Sequence, residues 1–360
     1  MRITFILPVY DLSGGGRVVA IYAEALQRRG HEVLVVAPGP KLRTLRQRLS
    51  DLRHGRGWRA PAARPSHFDR SPVRHVTTTH PAPITDTDLP DADVVVASWW
   101  ETAEWVAALS PAKGAKVHFI QHYETFGGPP ARVESVWRLP IKRITISEWL
   151  VAIGRDRFGD SDIDLVFNSV DTGQFNAPPR GKQRRPTVGM LYSAVPWKGV
   201  AKGFAAIEAL RRRMPEVQLV TFGNEPPAPE LPLPTDTEHH VRPPQDEIRD
   251  IYARCDVWLC ASEAEGFHLP PLEAMACRCP VVSTAVGGPI DIVRAGENGY
   301  ILPVGDVAGL AGSLEKVLRL PEPEWRRMSD HALATATGYS WEDATDLFEA
   351  ALKRAAGGAA

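Results

Sequence analysis

The chain has 360 residues, of which 44% are hydrophobic and 24% charged, and its formal net charge is -1. That length exceeds one ordinary core and suits two α/β domains, and the composition excludes a disordered chain. The charge balance excludes a global pull toward nucleic acid or anionic lipid, so any basic surface must be local.

The opening MRITFILPVY reads as a buried strand and lacks the basic, apolar and small-residue regions of a secretory signal. No apolar run approaches the ~20 residues that span a bilayer, so a cytoplasmic protein is expected. The four cysteines, Cys255, Cys260, Cys277 and Cys279, fall in core-like runs without paired spacing and read as reduced thiols.

Along the chain, short apolar runs alternate with longer amphipathic stretches, which predicts βαβ units and buried parallel sheets. Strands are predicted at Ile3–Val9, Val33–Ala37, Val94–Ala97, Val117–Ile120, Ile144–Ile146 and Leu165–Phe167. A helix over Arg17–Arg29 carries Val18, Val19, Tyr22, Ala23 and Leu26 on one face. Thr172–Pro186, rich in Gly, Pro and basic residues, reads as a linker. A second strand series follows at Thr187–Leu191, Val217–Phe222, Val257–Cys260, Val281–Thr284 and Tyr300–Leu302, with an amphipathic helix at Glu247–Cys255. The final helix, Trp341–Leu352, places Ala344, Leu347, Phe348, Ala351 and Leu352 on one stripe. The predicted organisation is a first domain over 1–171, a linker over 172–186, a second domain over 187–340, and a helix within 341–360 that returns to the first domain. Both domains are expected to be doubly wound parallel sheets. Their ligands should lie beyond the carboxyl ends of the strands, in a cleft where the two sheets face each other.

The strongest local signal is Ala264-Glu265-Gly266-Phe267-His268-Leu269-Pro270-Pro271-Leu272-Glu273-Ala274, after the strand Val257–Cys260. Pro270 and Pro271 suit a helix start, and the free amides and dipole there predict an anion site fit for a diphosphate. Glu265 and Glu273 bracket that site and could accept hydrogen bonds from sugar hydroxyls; alternatively they only complement the dipole.

This segment, with Met275–Val282 and Gly287-Gly288 after it, closely resembles the retaining glycosyltransferases of family 4, which have the GT-B fold of two Rossmann-like domains. The resemblance also takes in the glycine-rich first loop, Asn168-Ser169-Val170-Asp171, Lys198-Gly199 and Ser340-Trp341-Glu342. It implies donor binding by Gly266, Phe267, His268 and Leu269 as well. Glu265 would orient the donor sugar and Glu273 the ribose, while Lys198 would steady the diphosphate. It further implies retention of anomeric configuration and no required metal or other cofactor. Family members pair Lys198 with an arginine five or six residues earlier, where this chain has Ser193 and Tyr192. One fixed positive charge is therefore missing.

Ser13-Gly14-Gly15-Gly16-Arg17 lies between the first strand and first helix, where glycine lets amides approach a phosphate. A tight turn alone is the other reading. A dinucleotide-binding fingerprint fails, because its last glycine would be Val19 and no acid closes the second strand. The resemblance assigns Gly15 and Gly16 to the donor-phosphate and acceptor side of the cleft. It matches His122 to a histidine near the anomeric centre; without it, His122 reads as a hydrogen-bonded structural residue. Ile120-Gln121-His122-Tyr123-Glu124 looks like the subgroup containing bacterial rhamnosyltransferases. Trp99, Trp100 and Tyr123 are candidates to meet an acceptor, with at least one tryptophan serving instead to anchor the following helix.

Lys41–Arg59 is basic and amphipathic, a candidate peripheral contact with the cytoplasmic membrane face or a solvated helix. The Asp-x-Asp triplets at Asp86–Asp88, Asp91–Asp93 and Asp160–Asp164 precede strands and read as turn acids, not metal ligands. The expected activity is transfer of a sugar from a UDP-, dTDP- or GDP-sugar to a hydroxyl of a glycan, lipid-linked or natural-product acceptor, in polysaccharide or related biosynthesis. The alternatives are a non-catalytic nucleotide-sugar-binding protein, a sugar-nucleotide epimerase or a phosphorylase.

Overall fold

The structure, a computed structural model, describes residues 1–40, 53 and 65–357. The basic stretch over 41–59 lies outside the described residues apart from Arg53. The chain divides into two compact units, one of Met1–Ile146, Leu150–Val166 and Thr345–Ala360, the other of Ser147–Trp149 and Phe167–Ala344.

The first unit is built on a seven-stranded parallel sheet in the order β3-β2-β1-β4-β5-β6-β7. Its strands are β1 (Arg2–Ile6), β2 (Glu32–Ala37), β3 (Arg74–Thr77), β4 (Val94–Ala97), β5 (Ala115–Ile120), β6 (Lys142–Thr145) and β7 (Ile163–Leu165). Ile3 pairs with Val33 on one side and Val94 on the other. Phe5, Val35, Val36 and all of β4 are fully buried, as expected of a parallel sheet covered on both faces. The helix Gly14–Arg28 starts where Ser13 Oγ accepts the amide of Gly16 at 3.2 Å.

The final helix, Trp341–Gly357, contributes its residues from Thr345 onward to this unit. Phe348 stacks on Tyr22 at 4.2 Å between ring centroids and meets Phe119 edge-on at 5.0 Å. Glu349 pairs with Arg29 at 2.8 Å. Ala344, Phe348, Ala351, Leu352 and Ala355 form the buried stripe. Leu347 departs from the expected stripe: it is 48% exposed, because the i, i+4, i+7 line through Ala344 and Phe348 leaves it on the flank.

The second unit carries a six-stranded parallel sheet, β10-β9-β8-β11-β12-β13. The strands are β8 (Thr187–Leu191), β9 (Gln218–Gly223), β10 (Thr237–Val241), β11 (Val257–Cys260), β12 (Val281–Thr284) and β13 (Gly299–Leu302). Val188, Met190, Leu219, Leu259 and Val282 pack with Phe204 and Ile207 of the helix Val200–Arg211, and with Leu310 and Leu314 of the helix Val307–Arg319. Gly189 leaves room for Trp258, whose ring a Cβ at position 189 would strike. The stretch 172–186 is held to this unit by buried Phe175, edge-on to Tyr252, and by the Gln183 amide, which donates to Asp256 Oδ1 at 2.8 Å. All four cysteines are free and buried here. Burial pushes the thiols of Cys255 and Cys277 up to about 12 and also raises those of Cys260 and Cys279 well above the ordinary thiol range.

Candidate functional site

In the second sheet β8 lies between β9 and β11, so the winding direction reverses between β8 and β11. That switch point leaves an opening beyond the carboxyl ends of both strands, where open α/β sheets bind ligands. A pocket lies there, lined by Met190 and Leu191 from β8, by Leu259 and Cys260 from β11, by Ala261 and Ser262 after it, and by Lys198 and His268.

Lys198 arrives through a single helical turn, Pro196–Lys198, closed by Gly199 at φ 63°. A Cβ at 199 would run into the Ala261 carbonyl, so glycine is required both for the left-handed backbone and for the close approach. The Glu263 amide donates to the Trp197 carbonyl at 2.7 Å and ties this turn to the loop after β11.

Glu265 is buried, and three groups converge on it. Lys198 Nζ lies 2.8 and 2.9 Å from its two oxygens, and Ser262 Oγ donates to Oε1 at 2.8 Å. His268 Nδ1 sits 3.2 Å from Oε1. Burial pushes the Glu265 carboxyl up, but His268, Lys198 and the Ser262 hydroxyl outweigh it and hold the group below the ordinary carboxylate range. Burial likewise drives the His268 imidazole down to about 4, against the pull of Glu265.

Behind Glu265, Gly287 at φ 50° and Gly288 pack on the loop. The Gly288 amide donates to the Phe267 carbonyl at 2.7 Å, and Phe267 itself is buried. Trp149 Nε1, in the same unit, donates to the Gly266 carbonyl at 2.9 Å. The helix Leu269–Ala276 begins at Leu269, with His268 as its N-cap at φ 72°. Pro270 and Pro271 occupy its first turn and have no N–H. The expected set of free helix amides is thus thinner than the motif suggested.

Glu273 stands eight residues after Glu265, on the helix that follows the loop. It sits inside the helix and is buried, and its Oε2 accepts from Tyr252 OH at 2.9 Å. Neither glutamate lines the pocket itself; Glu265 reaches its wall through the bonds to Lys198 and Ser262, whereas Glu273 is held by Tyr252. Tyr192 and Ser193, where a second cation would stand, do local work: Tyr192 OH donates to the Leu231 carbonyl at 2.9 Å, and Ser193 Oγ accepts the Val195 amide at 3.2 Å.

In the first unit, the amide of Gly16 donates to Ser13 Oγ at 3.2 Å. The Gly15 carbonyl accepts from Gln121 Nε2 at 3.2 Å, and a Cβ at Gly15 would meet that same side chain. Trp100 has the surroundings of an anchor, the role expected of at least one of the two tryptophans. It is 3% exposed, its Nε1 donates to the Gly127 carbonyl at 3.3 Å, and its amide donates to Glu124 at 2.7 Å. Glu124, missed from the sequence, is a buried carboxyl that burial raises well above its usual range. Trp99 and His122 both meet exposed Phe126 edge-on, at 5.9 and 4.8 Å between centroids, beyond β4 and β5. The Tyr123 hydroxyl is engaged, donating to Glu134 at 2.6 Å and accepting from Arg157.

The aspartate triplets serve as caps and ion pairs. Asp86 accepts the Ser110 amide, Asp88 the Thr85 amide, and Asp93 pairs with Arg2. Asp160 pairs with Arg143 and Asp162 with Lys142. Among the described residues no group of three or more His, Cys, Asp or Glu side chains gathers as a metal site, and no helix is long and apolar enough to cross a membrane.

Residues 185–319 match the family described as glycosyl transferases group 1. Among curated proteins, N-acetyl-alpha-D-glucosaminyl L-malate synthase of Bacillus anthracis is 39% identical over 88 residues, which are 24% of this chain and 23% of that protein. D-inositol 3-phosphate glycosyltransferase of Mycobacterium tuberculosis (strain ATCC 25177 / H37Ra) is 36% identical over 118 residues, 32% of this chain and 25% of its own. The matches thus span about a quarter of these relatives' length. Among solved structures, Anabaena Alr3699/HepE in complex with UDP and glucose superposes with a TM-score of 0.77 at 16% identity, covering 98% of this chain and 99% of that one. Sucrose-phosphate synthase from Thermosynechococcus elongatus gives 0.70 at 17% identity, with 98% of each chain covered. At these identities the likeness is one of fold: two Rossmann-like domains of the GT-B type.

Proposed function

Starting from a group 1 glycosyl transferase domain over residues 185–319, set in a chain of GT-B fold, we propose that the protein moves a sugar from a nucleoside-diphosphate sugar to an acceptor hydroxyl, with retention at the anomeric carbon and without a metal. The observation that carries this reading is the Lys198–Glu265 pair at the β8/β11 switch point. A diphosphate leaving group gains negative charge as the glycosidic bond breaks, and a fixed ammonium beside it stabilises that charge. An ionised carboxylate next to the ammonium accepts hydrogen bonds from sugar hydroxyls and sets the donor's orientation. Loop amides from Gly266 to Leu269 complete the donor contacts in this reading, and Glu273, steadied by Tyr252, supports the ribose end. Trp99 and His122, with Phe126 between them, are the proposed acceptor-side groups of the first unit. The protein is proposed to work in the cytoplasm, with the basic stretch 41–59 as its contact with the membrane face.

The test is a donor panel of UDP-, dTDP- and GDP-sugars, with dTDP-rhamnose included for the Ile120–Glu124 pattern. Transfer and nucleotide release are followed in the wild type and in Glu265→Gln, Lys198→Ala and Arg212→Ala. The first two should lose 100-fold or more in rate, roughly the cost of one transition-state contact, while Arg212→Ala should match the wild type. Equal activity in all three would refute the assignment. NMR of the product's anomeric proton checks retention. A binding protein without turnover is the second reading, favoured by the uncharged Tyr192 and Ser193. It predicts calorimetric binding of a nucleoside diphosphate with no transfer from any donor.

A further inference from the structure

We infer that His268 is a specificity-determining residue of this pocket, its Nε2 serving as a fixed hydrogen-bond acceptor for one hydroxyl of the donor sugar. The inference rests on the donor-site reading above.

The backbone singles out position 268 first. His268 caps the helix Leu269–Ala276 at φ 72°, a left-handed conformation that side chains other than glycine and asparagine rarely adopt. A bulky ring held there, almost fully buried and lining the pocket, is an arrangement the surrounding fold must enforce.

The neighbours then fix which nitrogen does what. Glu265 Oε1 already receives Lys198 Nζ and Ser262 Oγ, so it is an ionised oxygen that only a donor can face. His268 Nδ1 lies 3.2 Å from it, and a ring proton on Nδ1 is the arrangement that avoids setting two lone pairs face to face. In a neutral imidazole Nε2 is then an acceptor. Burial keeps the ring neutral down to about pH 4, so this assignment holds across the neutral range.

Nε2 itself is buried and meets no protein donor. A buried acceptor without a partner is costly, and because the ring that carries it lines the pocket, a hydroxyl seated there is the partner we assign to it. The chemistry of that partner is constrained. Diphosphate oxygens carry no hydrogen at neutral pH and would be repelled, whereas a sugar hydroxyl donates. Because the same ring is tied to Glu265, the group proposed to orient the sugar, the hydroxyl belongs to the sugar and not to the diphosphate.

The experiment uses the full chain, His268→Phe, which keeps a ring without nitrogens, and His268→Gly, which relaxes the left-handed backbone. Calorimetry with UDP, dTDP and GDP comes first. If the wild type binds none of them and turns over no donor in the panel, the donor-site reading itself has failed. If it binds, kcat/KM is measured for the accepted donor and for its monodeoxyfluoro analogues, in which a C–F bond replaces each hydroxyl in turn. The wild type should prefer the parent by roughly tenfold at one ring position, the worth of one hydrogen bond. In both variants that preference should fall to near one at that position alone, with nucleoside-diphosphate affinity within about twofold of wild type. The electronic effect of fluorine on the reaction is common to all three proteins and cancels in the comparison. Unchanged parent-to-fluoro ratios in variants that still bind nucleoside diphosphate would overturn the inference. Loss of nucleoside-diphosphate binding in both variants would overturn it as well, because His268 would then be acting on the phosphates or the scaffold.

Discussion

Replacing Lys198 by methionine in the ligand-free protein should unmask the electrostatic cost of Glu265. The ammonium stands 2.8 Å from Oε1, a Coulomb attraction of about 6 kcal/mol at an effective dielectric of 20. Lys198 is 29% exposed, and solvation with side-chain ordering takes back about half, which leaves ~3 kcal/mol. With Lys198 present, the Glu265 carboxyl is held low and contributes stability above the unfolded carboxylate pKa that fades as pH falls through the folded value. Without the ammonium, burial dominates and the folded pKa rises above the unfolded one. The variant then loses stability as pH rises, so its deficit is largest at pH 7 and shrinks toward pH 5. Hydrogen exchange of the segment 257–268, corrected for intrinsic rates, measures this at both pH values. Adding Glu265→Gln should restore most of the protection. Wild-type protection in Lys198→Met at pH 7, or a deficit that grows toward pH 5, would refute the reasoning.

Gly199→Ala forces a side chain onto a left-handed backbone and against the Ala261 carbonyl, and should cost 3 kcal/mol or more, seen as a drop in the thermal midpoint. His118 on β5 is wholly buried beside Arg143, and burial pushes its imidazole down to about 3. Since the unfolded ring takes a proton below about 6.5 and the folded one does not, stability falls by about 2 kcal/mol between pH 6.5 and 5. His118→Leu should remove that portion of the slope in hydrogen exchange of segment 115–120, and an unaltered slope would count against it. Phe348→Ala deletes the ring shared by Tyr22 and Phe119 and should cost the first unit about 3–5 kcal/mol in urea unfolding; a loss below 1 kcal/mol would show that the closing helix is held by other contacts.

What could be read from the amino-acid order follows from how each group is stabilised. β4 and β11 coincide with the expected runs because central parallel strands bury both faces and leave an unbroken apolar word. β3 and β10, Arg-His-Val-Thr and Thr-Glu-His-His-Val, were missed because edge strands pair on one side only and keep polar faces. β1 stops at Ile6, short of the expected Val9, since Pro8 has no amide for the ladder. At the site, Glu265 and Lys198 stood out through a resemblance of local motifs, and the fold joins them across 67 positions. The Tyr252 hold on Glu273 joins two separate helices, and neither the Ser262 bond nor the left-handed turn at His268 carries a mark in the hydrophobic pattern.

The deep burial of the four thiols has a practical side. Maleimides react with thiolate, and a sulfhydryl held near 12 offers about a thousandfold less of it at pH 7 than an ordinary exposed cysteine. New cysteines at Leu12 in one unit and Val304 in the other, both well exposed, would therefore take dyes selectively without stripping the native ones. The protein is ready for distance measurements by fluorescence as donor analogues are added.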